Sequence, residues 1–338
     1  MKPAPASPGA PRRKVTRSDI ALTLTGLVIA SVATVASLWS ATINRQIDIS
    51  EVLIPREVAP GSFATVNGFD LHYRLIGDPL RDPTGAPLVL VHGFASSSDE
   101  FRKIEAALAV SRSLILPDLL GFGYSQRVTD TLSGYTQRSQ AALVGGVLDQ
   151  LGVTQVDAIG ASYGGAIVTQ FALDNPGRVR RIGYLDGQVY DGGGGPPGWL
   201  MGLLPFRIGR AITWNLLGGG AGQAQLLASA CVDAAACVAG LDPRWRENVA
   251  RIEGNTDALL AISSAPREQY ADADIRKITM PALLIWGGQD SLVPLDRGKR
   301  LAAELPNARL EIIPAVGHVP HLERPAAVIP LLVAFFGR

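Results

Sequence analysis

Only two cysteines and four histidines occur among the 338 residues of this chain, and aromatic residues make up 6% of it. No group of cysteines and histidines has the spacing of a metal site, and we expect neither a metal ion nor a cofactor. Charged residues are also few, at 18%, and they leave a net charge of +1. Such a balance lacks the basic excess that nucleic-acid binding needs, so no nucleic-acid partner is expected.

The apolar content is correspondingly high, at 47%. This fraction suits a well-buried core and argues against a disordered or fibrous chain. The length exceeds one average domain, but it fits one large α/β domain that carries an insertion.

The N-terminal region contains a long uncharged stretch that predicts a membrane anchor. No charged residue occurs between Ile20 and Asn44, and positions 20–41 read IALTLTGLVIASVATVASLWSA. As a helix, this stretch would cross a hydrocarbon core about 30 Å thick. A cluster of four basic residues lies just before it, namely Arg12, Arg13, Lys14 and Arg17. Since basic residues favour the cytoplasmic side, we predict a cytoplasmic tail and anchor over 1–45, contact with the lipid bilayer, and a periplasmic or extracellular location for the rest.

Two other interpretations of this stretch stay open. One is a cleaved signal peptide, for which Thr34-Val35-Ala36 would be the small-residue cleavage site and which would leave a secreted protein. The pair Arg12-Arg13 hints at twin-arginine export, although the residues that follow are not apolar. The other is an ordinary buried helix of a soluble protein.

The two cysteines, Cys231 and Cys237, are six residues apart, a spacing that does not place them on one helix face. In an oxidising compartment they can close a small loop between two helices. Equally, they can be two small apolar residues buried in an Ala-rich stretch. The sequence leaves both interpretations open.

After a linker predicted over 46–61, strands alternate with helices. The stretch FATVNGFDLHYRLIG predicts a hairpin with an Asn-Gly turn. Short apolar runs follow, which read PLVLV, SLILP, VDAIG, RRIGYL, PALLIW and RLEIIP. Helices are predicted over 99–109, 135–151, 166–174, 295–304 and 322–336. Short apolar strands among helices predict a mostly parallel sheet covered on both faces, which is an α/β fold.

The alternation stops between residues 191 and 273, where a Gly- and Pro-rich segment leads into Ala-rich and charged helical segments. We predict one α/β domain, built from 62–190 and 274–338, with a mostly helical insertion over 191–273. Large apolar side chains of the insertion indicate an apolar substrate, a lid that rests on a bilayer, or simply the insertion's own core. They are Trp199, Leu200, Met201, Leu203, Leu204, Phe206 and Trp214.

The segment Gly160-Ala161-Ser162-Tyr163-Gly164 lies between an apolar strand and a helix. A Gly-x-Ser-x-Gly segment in that position is typical of a sharp turn that exposes the serine hydroxyl as a nucleophile. Glycines are needed on both sides because larger residues would collide across the turn. Ser162 is therefore the candidate nucleophile, and the alternative is an ordinary Gly-rich turn.

A serine nucleophile needs a base and an acid that orients the base. The base should follow the last strand, which leaves His318 or His321, and His318 lies nearer the strand end. The acid is predicted to be Asp290, which ends the strand PALLIWGGQ, and Asp186 at the end of RRIGYL is the alternative. A carboxylate that only caps its turn is also compatible with Asp290.

The oxyanion of an acyl-transfer intermediate needs fixed N–H donors. One is predicted to be the backbone amide of Tyr163, directly after the nucleophile. The other is the amide of Phe94, in the loop after the first central strand, where Gly93 permits a close approach.

Five segments in order resemble the α/β-hydrolase superfamily, in particular its esterase, lactonase and carbon–carbon-bond hydrolase branch. They are HGF at 92–94, DLLGFGYS at 118–125, GASYGG at 160–165, WGGQDSLVP at 286–294 and GHVPHLERP at 317–325. The resemblance implies an α/β-hydrolase fold, with the insertion in the position of the lid or cap. It also implies the order serine, aspartate, histidine along the chain, which Ser162, Asp290 and His318 follow.

The resemblance further implies a hydrolase. Relatives that act on haloalkanes and epoxides carry an aspartate at the elbow, whereas Ser162 favours acyl transfer. We expect a membrane-anchored serine hydrolase that cleaves a small, apolar ester or lactone through an acyl-enzyme. The alternatives are a carbon–carbon hydrolase of vinylogous diketones, a non-catalytic ligand-binding member, and peracid or amide chemistry. The carbon–carbon hydrolases often carry a glycine- and proline-rich loop where this chain has FASSSDEF.

Overall fold

A computed structural model describes residues 17–128, 133–190 and 205–337. The eight strands of its sheet are β1 (Ser62–Val66), β2 (Phe69–Ile76), β3 (Leu88–Val91), β4 (Leu114–Pro117), β5 (Val156–Ala161), β6 (Val179–Leu185), β7 (Ala282–Gly287) and β8 (Ala308–Ile313). They follow the order β1-β2-β4-β3-β5-β6-β7-β8. β1 and β2 pair antiparallel, as do β2 and β4, and the other pairs are parallel. The predicted α/β class with a mostly parallel sheet is confirmed.

The helices outside the insertion are α1 (Arg17–Ser50), α2 (Pro55–Val58), α3 (Arg102–Leu108), α4 (Gln137–Gln150), α5 (Tyr163–Asp174), α11 (Asp272–Ile275), α12 (Leu295–Glu304), α13 (Pro320–Glu323) and α14 (Pro325–Phe336). Short 3₁₀ turns cover Pro79–Arg81, Ser98–Phe101 and Ser133–Tyr135. α12 has the predicted bounds. The predicted closing helix is divided between α13 and α14 at Pro325, because proline lacks the N–H that would continue the first helix.

The hairpin that opens the sheet has the predicted turn. Asn67 and Gly68 have φ values of 52° and 85°, and they connect β1 to β2 as a tight two-residue loop. β2 then pairs with β4, so the hairpin adds two antiparallel strands to the edge of the parallel sheet.

The core lies on both faces of the sheet, as the apolar runs predict. In β3, Val89 and Val91 belong to the cluster beneath α4 and α5, whereas Leu88 and Leu90 belong to the cluster on the opposite face, with Phe336 of α14. Side chains alternate between the faces of a strand, so a strand covered on both faces is apolar at every position.

The described part of the insertion forms a helical cap. Its helices are α6 (Phe206–Thr213), a π-helical turn (Trp214–Gly218), α7 (Gly220–Ser229), α8 (Ala234–Val238), α9 (Pro243–Ala250) and α10 (Asn255–Ser264). The predicted apolar residues Trp199, Leu200, Met201, Leu203 and Leu204 lie outside the described residues. Phe206 is exposed and Trp214 is half-buried.

The segment before the sheet packs on the cap. The Asn44 side chain donates to the carbonyl oxygen of Arg207 at 2.8 Å. Arg210 pairs with Asp48 at 2.7 Å and with Asp257 at 2.6 Å. The stretch predicted as a linker over 46–61 thus contains the end of α1 and the whole of α2.

The predicted transmembrane span over 20–41 falls within α1. No helix of the described residues combines the length and the apolar character needed to cross a bilayer, so the predicted span is not supported. The location of the protein in the cell stays a prediction.

Candidate active site

The candidate nucleophile lies at the sharp turn between β5 and α5. Ser162 has φ 46° and ψ −117°, a backbone conformation that residues with side chains rarely adopt. A Cβ on Gly164 would lie 2.1 Å from the Val91 carbonyl oxygen, and a Cβ on Gly160 would lie 2.3 Å from that of Gly164. The glycines of the segment are therefore required by close backbone approach, as the sequence predicts.

Three of the predicted site residues form a hydrogen-bonded chain. Nε2 of His318 lies 2.7 Å from Oγ of Ser162, and Nδ1 of His318 lies 2.7 Å from Oδ2 of Asp290. His318 and Asp290 are buried, whereas Ser162 is half-buried and lines a cavity. The residues come from the loops after β5, β7 and β8, which meet at the carboxyl edge of the parallel sheet.

The Asp290 carboxylate is held in the ionised form. Oδ1 accepts hydrogen bonds from the amides of Leu292 at 2.8 Å and Val293 at 2.9 Å. Burial works to raise the pKa of Asp290, but the hydrogen bond and positive charge of His318 outweigh it and place this pKa below the ordinary value. An ionised acid fixes the tautomer of the histidine and stabilises its protonated form.

Asp186, the alternative acid, lies against the same group. It is fully buried at the end of β6, and one of its carboxyl oxygens lies within 4.8 Å of a carboxylate oxygen of Asp290 and of a ring nitrogen of His318. Burial raises the pKa of Asp186 well above its ordinary value, and the negative charge of Asp290 adds to the effect.

The other three histidines are held in different contacts. Nε2 of His321, the alternative base, lies 3.2 Å from Oε1 of Glu100. Nδ1 of His72 lies 2.7 Å from Oδ2 of Asp118. Nε2 of His92 accepts from the amide of Leu119 at 3.0 Å. Among the histidines, only His318 is brought to Ser162.

The loop after β3 carries the predicted oxyanion donor. The amide of Gly93 donates to Oε2 of Glu100 at 2.8 Å, and the amide of Phe94, the next residue, donates to no acceptor among the described residues. Tyr163 is the first residue of α5, a position where a helix leaves its N–H groups unpaired. Both predicted donors are thus available for a bound oxyanion.

Glu100 is a site residue that the sequence did not single out. Its carboxylate accepts from the Gly93 amide through Oε2 and lies 3.2 Å from Nε2 of His321 through Oε1, and the residue lines the cavity. Burial opposes ionisation, but the contacts with His321 and with the Gly93 amide lower the pKa of Glu100 to about 2. The segment FASSSDEF gives no signal for this role, because an acid in a helix-starting segment usually serves the helix terminus.

The cap holds the loop that carries His318. The amide of His318 donates to the carbonyl oxygen of Ala230 at 2.7 Å. The Glu323 carboxylate accepts from the amides of Asp233 and Gly317, both at 2.8 Å. Cys231 forms a disulfide with Cys237, which closes this segment of the cap between α7 and α8. Of the two interpretations of the cysteines, the structure shows the disulfide.

A cavity of about 520 Å³ lies between the cap and the core and opens onto Ser162. Apolar side chains form much of its wall, namely Phe94, Leu217, Leu226, Trp245, Val249, Val319 and Leu322. Two arginines, the half-buried Arg246 and the exposed Arg267, also line it. Nη1 of Arg246 is buried and has no hydrogen-bond partner among the described residues.

Two groups of described residues bring ligand-type atoms within 4.8 Å of one another. One is Cys231, Cys237 and Glu323, but its two sulfurs are bonded to each other. The other is Asp186, Asp290 and His318, in which His318 is already bonded to Ser162 and Asp290. Neither arrangement offers a free set of metal ligands.

Comparison with known proteins identifies the family of the chain. Residues 88–331 match the alpha/beta hydrolase family, and the chain belongs to that family. It is 30% identical over 277 residues to the uncharacterized hydrolase YugF of Bacillus subtilis, a match that covers 80% of this chain and 96% of that protein. It is also 30% identical over 267 residues to a 2-hydroxymuconate semialdehyde hydrolase of Pseudomonas putida, covering 74% of this chain and 88% of that protein.

Among solved structures, the enol-lactonase from Burkholderia xenovorans LB400 is similar, with a TM-score of 0.67 and 22% identity over 82% of this chain and 100% of that one. At this identity the similarity establishes the fold alone. The fold predicted from the five sequence segments is confirmed.

Proposed function

We propose that this protein is a serine hydrolase that cleaves a carboxylic ester or lactone through an acyl-enzyme. The observation that carries the proposal is the chain of two 2.7 Å hydrogen bonds from Ser162 through His318 to Asp290, which ends at the cavity. A serine hydroxyl becomes a nucleophile when a positioned base accepts its proton, and this chain supplies both the base and its acid.

In the first half of the reaction, Oγ of Ser162 attacks the carbonyl carbon of the substrate while Nε2 of His318 takes its proton. The amides of Phe94 and Tyr163 donate to the oxyanion that forms. The intermediate then expels the alkoxide oxygen, which receives the proton from His318. A lactone is opened in the same way, and its alcohol stays attached to the acyl group.

In the second half, His318 takes a proton from water, and the resulting hydroxide attacks the acyl carbon. Collapse of the second intermediate returns the proton to Oγ of Ser162 and releases the carboxylic acid. Asp290 stabilises the protonated His318 in both halves without itself taking up the proton. The largely apolar cavity wall suits a substrate with an apolar acyl or alcohol group.

A carbon–carbon hydrolase that acts on a vinylogous diketone with a carboxylate is the second candidate. The buried Nη1 of Arg246, which has no hydrogen-bond partner among the described residues, favours it, because an anionic ligand group would supply the missing acceptor. Similarity to a protein named as a 2-hydroxymuconate semialdehyde hydrolase supports the same candidate.

The test is turnover of three substrate sets by the purified chain. The sets are neutral p-nitrophenyl esters of increasing length, aliphatic lactones with and without a carboxylate, and a carboxylated vinylogous diketone. Turnover of the diketone is measured as the loss of its absorbance. We expect hydrolysis of esters or lactones that vanishes in Ser162→Ala. If the protein turns over the diketone and neither the esters nor the lactones, the ester proposal is wrong and the carbon–carbon hydrolase is the supported function.

Arg246→Gln separates the substrate classes further. The substitution is expected to raise KM at least tenfold for carboxylated substrates, a change of about 1.4 kcal/mol, and to leave KM for neutral esters unchanged. An equal change in KM for carboxylated and neutral substrates would mean that Arg246 does not recognise the substrate carboxylate.

We also propose that the catalytic domain works outside the cytoplasm. The Cys231–Cys237 disulfide supports this location, since such bonds persist in oxidising compartments. Alkylation and mass spectrometry of the protein from cells test it, and two free thiols in the native protein would contradict it.

A further inference from the structure

Asp186 is a second carboxyl group behind the candidate catalytic histidine. It follows β6 with φ 49°, and its side chain is fully buried. Oδ1 accepts a hydrogen bond from the amide of Gly287 at 2.8 Å, and the Asp186 amide donates to the carbonyl oxygen of Ile285 at 3.0 Å. These bonds hold the carboxyl group between β6 and β7, next to the Asp290 side chain.

The remaining oxygen of Asp186 has no donor. Oδ2 is buried, and no N–H or O–H group of the described residues reaches it. Both oxygens of Asp290, in contrast, have N–H donors, since Oδ1 accepts from two amides and Oδ2 accepts from His318 and can accept one bond more. Asp290 therefore has N–H donors for a full negative charge, and Asp186 does not.

The charges around this pair do not support a second anion. His318 is the one basic side chain of the group, and it already faces Asp290. The Glu323 carboxylate of α13, which is also negative, adds to the effects that oppose ionisation of Asp186. Two carboxyl groups in contact in a buried site ionise one at a time.

We propose that Asp186 is held as the neutral carboxylic acid and donates its proton through Oδ2 to the Asp290 carboxylate. Asp186 is then a positioning residue that acts through Asp290, and it keeps a single negative charge behind His318. When Asp290 loses its charge, Asp186 ionises and takes over the stabilisation of the protonated His318. This inference rests on the proposed roles of Ser162, His318 and Asp290.

The alternative is an ionised Asp186 that only accepts the Gly287 amide. The two states predict different effects of Asp186→Asn, a substitution with the same shape. An amide donates to Asp290 as the neutral acid does, so the charge beside His318 stays the same. If Asp186 is ionised, the substitution removes a negative charge beside the imidazole and lowers the pKa of His318 by about one unit or more.

The experiment is an NMR titration of His318 in the full chain and in Asp186→Asn, with the signal assigned by its loss in His318→Ala. We expect the two midpoints to agree within about 0.3 pH units. A fall of half a unit or more in the variant would overturn the proposal. Should the variant fail to fold, the side-chain carboxyl ¹³C shift of Asp186 in the wild-type chain decides the question, since a neutral carboxylic acid and an ionised carboxylate resonate at different shifts. A carboxylate shift at neutral pH would overturn the proposal.

A second measurement tests the takeover by Asp186. The rate at which a fluorophosphonate labels Ser162 is measured in two variants, the single variant Asp290→Asn and the double variant that also carries Asp186→Asn. Thermal unfolding is the control that both variants are folded. We expect the second substitution to lower the rate at least a further tenfold. Equal rates would contradict the takeover. If the wild-type chain is not labelled, the proposed function fails, and the His318 titration still decides the protonation of Asp186.

Discussion

The backbone amide of His318 donates a 2.7 Å hydrogen bond to the carbonyl oxygen of Ala230, and this bond joins the candidate base of the core to the cap. Ala230 directly precedes the disulfide-bonded Cys231. A Cβ on Gly317 would lie 2.3 Å from that carbonyl oxygen, so only glycine permits so close a contact before the histidine. The geometry of the base thus depends on a segment of the cap.

Removal of the disulfide is therefore expected to affect both stability and activity. Replacing Cys231 and Cys237 together by serine should lower the free energy of unfolding by about 2 kcal/mol, because the bond closes a short loop. The rate of Ser162 labelling should also fall several-fold as the contact to His318 loosens. Dithiothreitol should reproduce both effects in the wild type and have no effect on the double variant. A stable variant with an unchanged labelling rate would contradict the dependence of His318 on this segment.

Glu51 gives a pH-dependent prediction for the contact between α1 and the cap. Its Oε1 accepts from the amide of Thr256 at 2.9 Å and from the Thr256 hydroxyl, whereas Oε2 is buried and has no partner in the part of the chain that the structure describes. Burial raises the pKa of Glu51 from 4.5 to about 7. The neutral acid is favoured in the folded state. The contribution of Glu51 to the free energy of unfolding is therefore complete below pH 4.5 and is lost as the pH rises through 7.

Glu51→Gln should consequently stabilise the protein at alkaline pH, by up to about 3 kcal/mol at pH 8. The gain should shrink as the pH falls and vanish near pH 4.5, where wild-type Glu51 is neutral in both states. Thermal unfolding at several pH values measures this, with Glu57→Gln as the control at an exposed position of the same region. A gain that is equal at all pH values would rule out the protonation of Glu51 as its cause.

The elbow glycines give a steric prediction. Gly164→Ala should cost more than about 3 kcal/mol of stability or prevent folding, because the new Cβ would lie 2.1 Å from the Val91 carbonyl oxygen. Gly177→Ala is the control, since a Cβ there meets nothing within 4 Å. Chemical denaturation of both variants compares them. Equal stabilities would mean that β3 and α5 do not approach as closely as described.

Glu100 is expected to act on the oxyanion loop. Glu100→Ala removes the acceptor of the Gly93 amide and frees the loop that carries Phe94. Loss of an aligned oxyanion donor typically lowers kcat by a factor of about 100 or more, and we expect a tenfold to hundredfold loss for this indirect effect. KM should change less than kcat. Glu247→Ala, at an exposed position of the cap, is the control. An unchanged kcat in Glu100→Ala would mean that Glu100 does not influence the reaction.

Much of the fold could be predicted from the sequence because local signals and the tertiary structure agree. The apolar runs are strands, the Asn67-Gly68 turn joins β1 to β2, and α12 begins and ends where its pattern does. Ser162, His318 and Asp290 were found from strand-end positions, since strand order brings the carboxyl ends of parallel strands together.

The parts that could not be predicted depend on contacts between distant segments. The uncharged stretch of α1 has the composition of a membrane span, and sequence composition does not report that its end packs on the cap. Glu100 and Glu323 have ordinary surroundings in the sequence, and only the folded chain brings them to Gly93 and Gly317. The sequence offers Asp186 only as an alternative to Asp290, whereas in the structure the two carboxyl groups lie side by side.

The most direct test of the proposed function is peptide mapping after reaction with a fluorophosphonate. The wild-type chain is expected to carry one phosphonyl group on the peptide that contains Ser162. Labelling should be absent in Ser162→Ala and at least about a hundredfold slower in His318→Ala, since the hydroxyl then lacks its base. A folded wild-type chain that is not labelled, or a label that persists in Ser162→Ala, would contradict the assignment of Ser162 as the nucleophile.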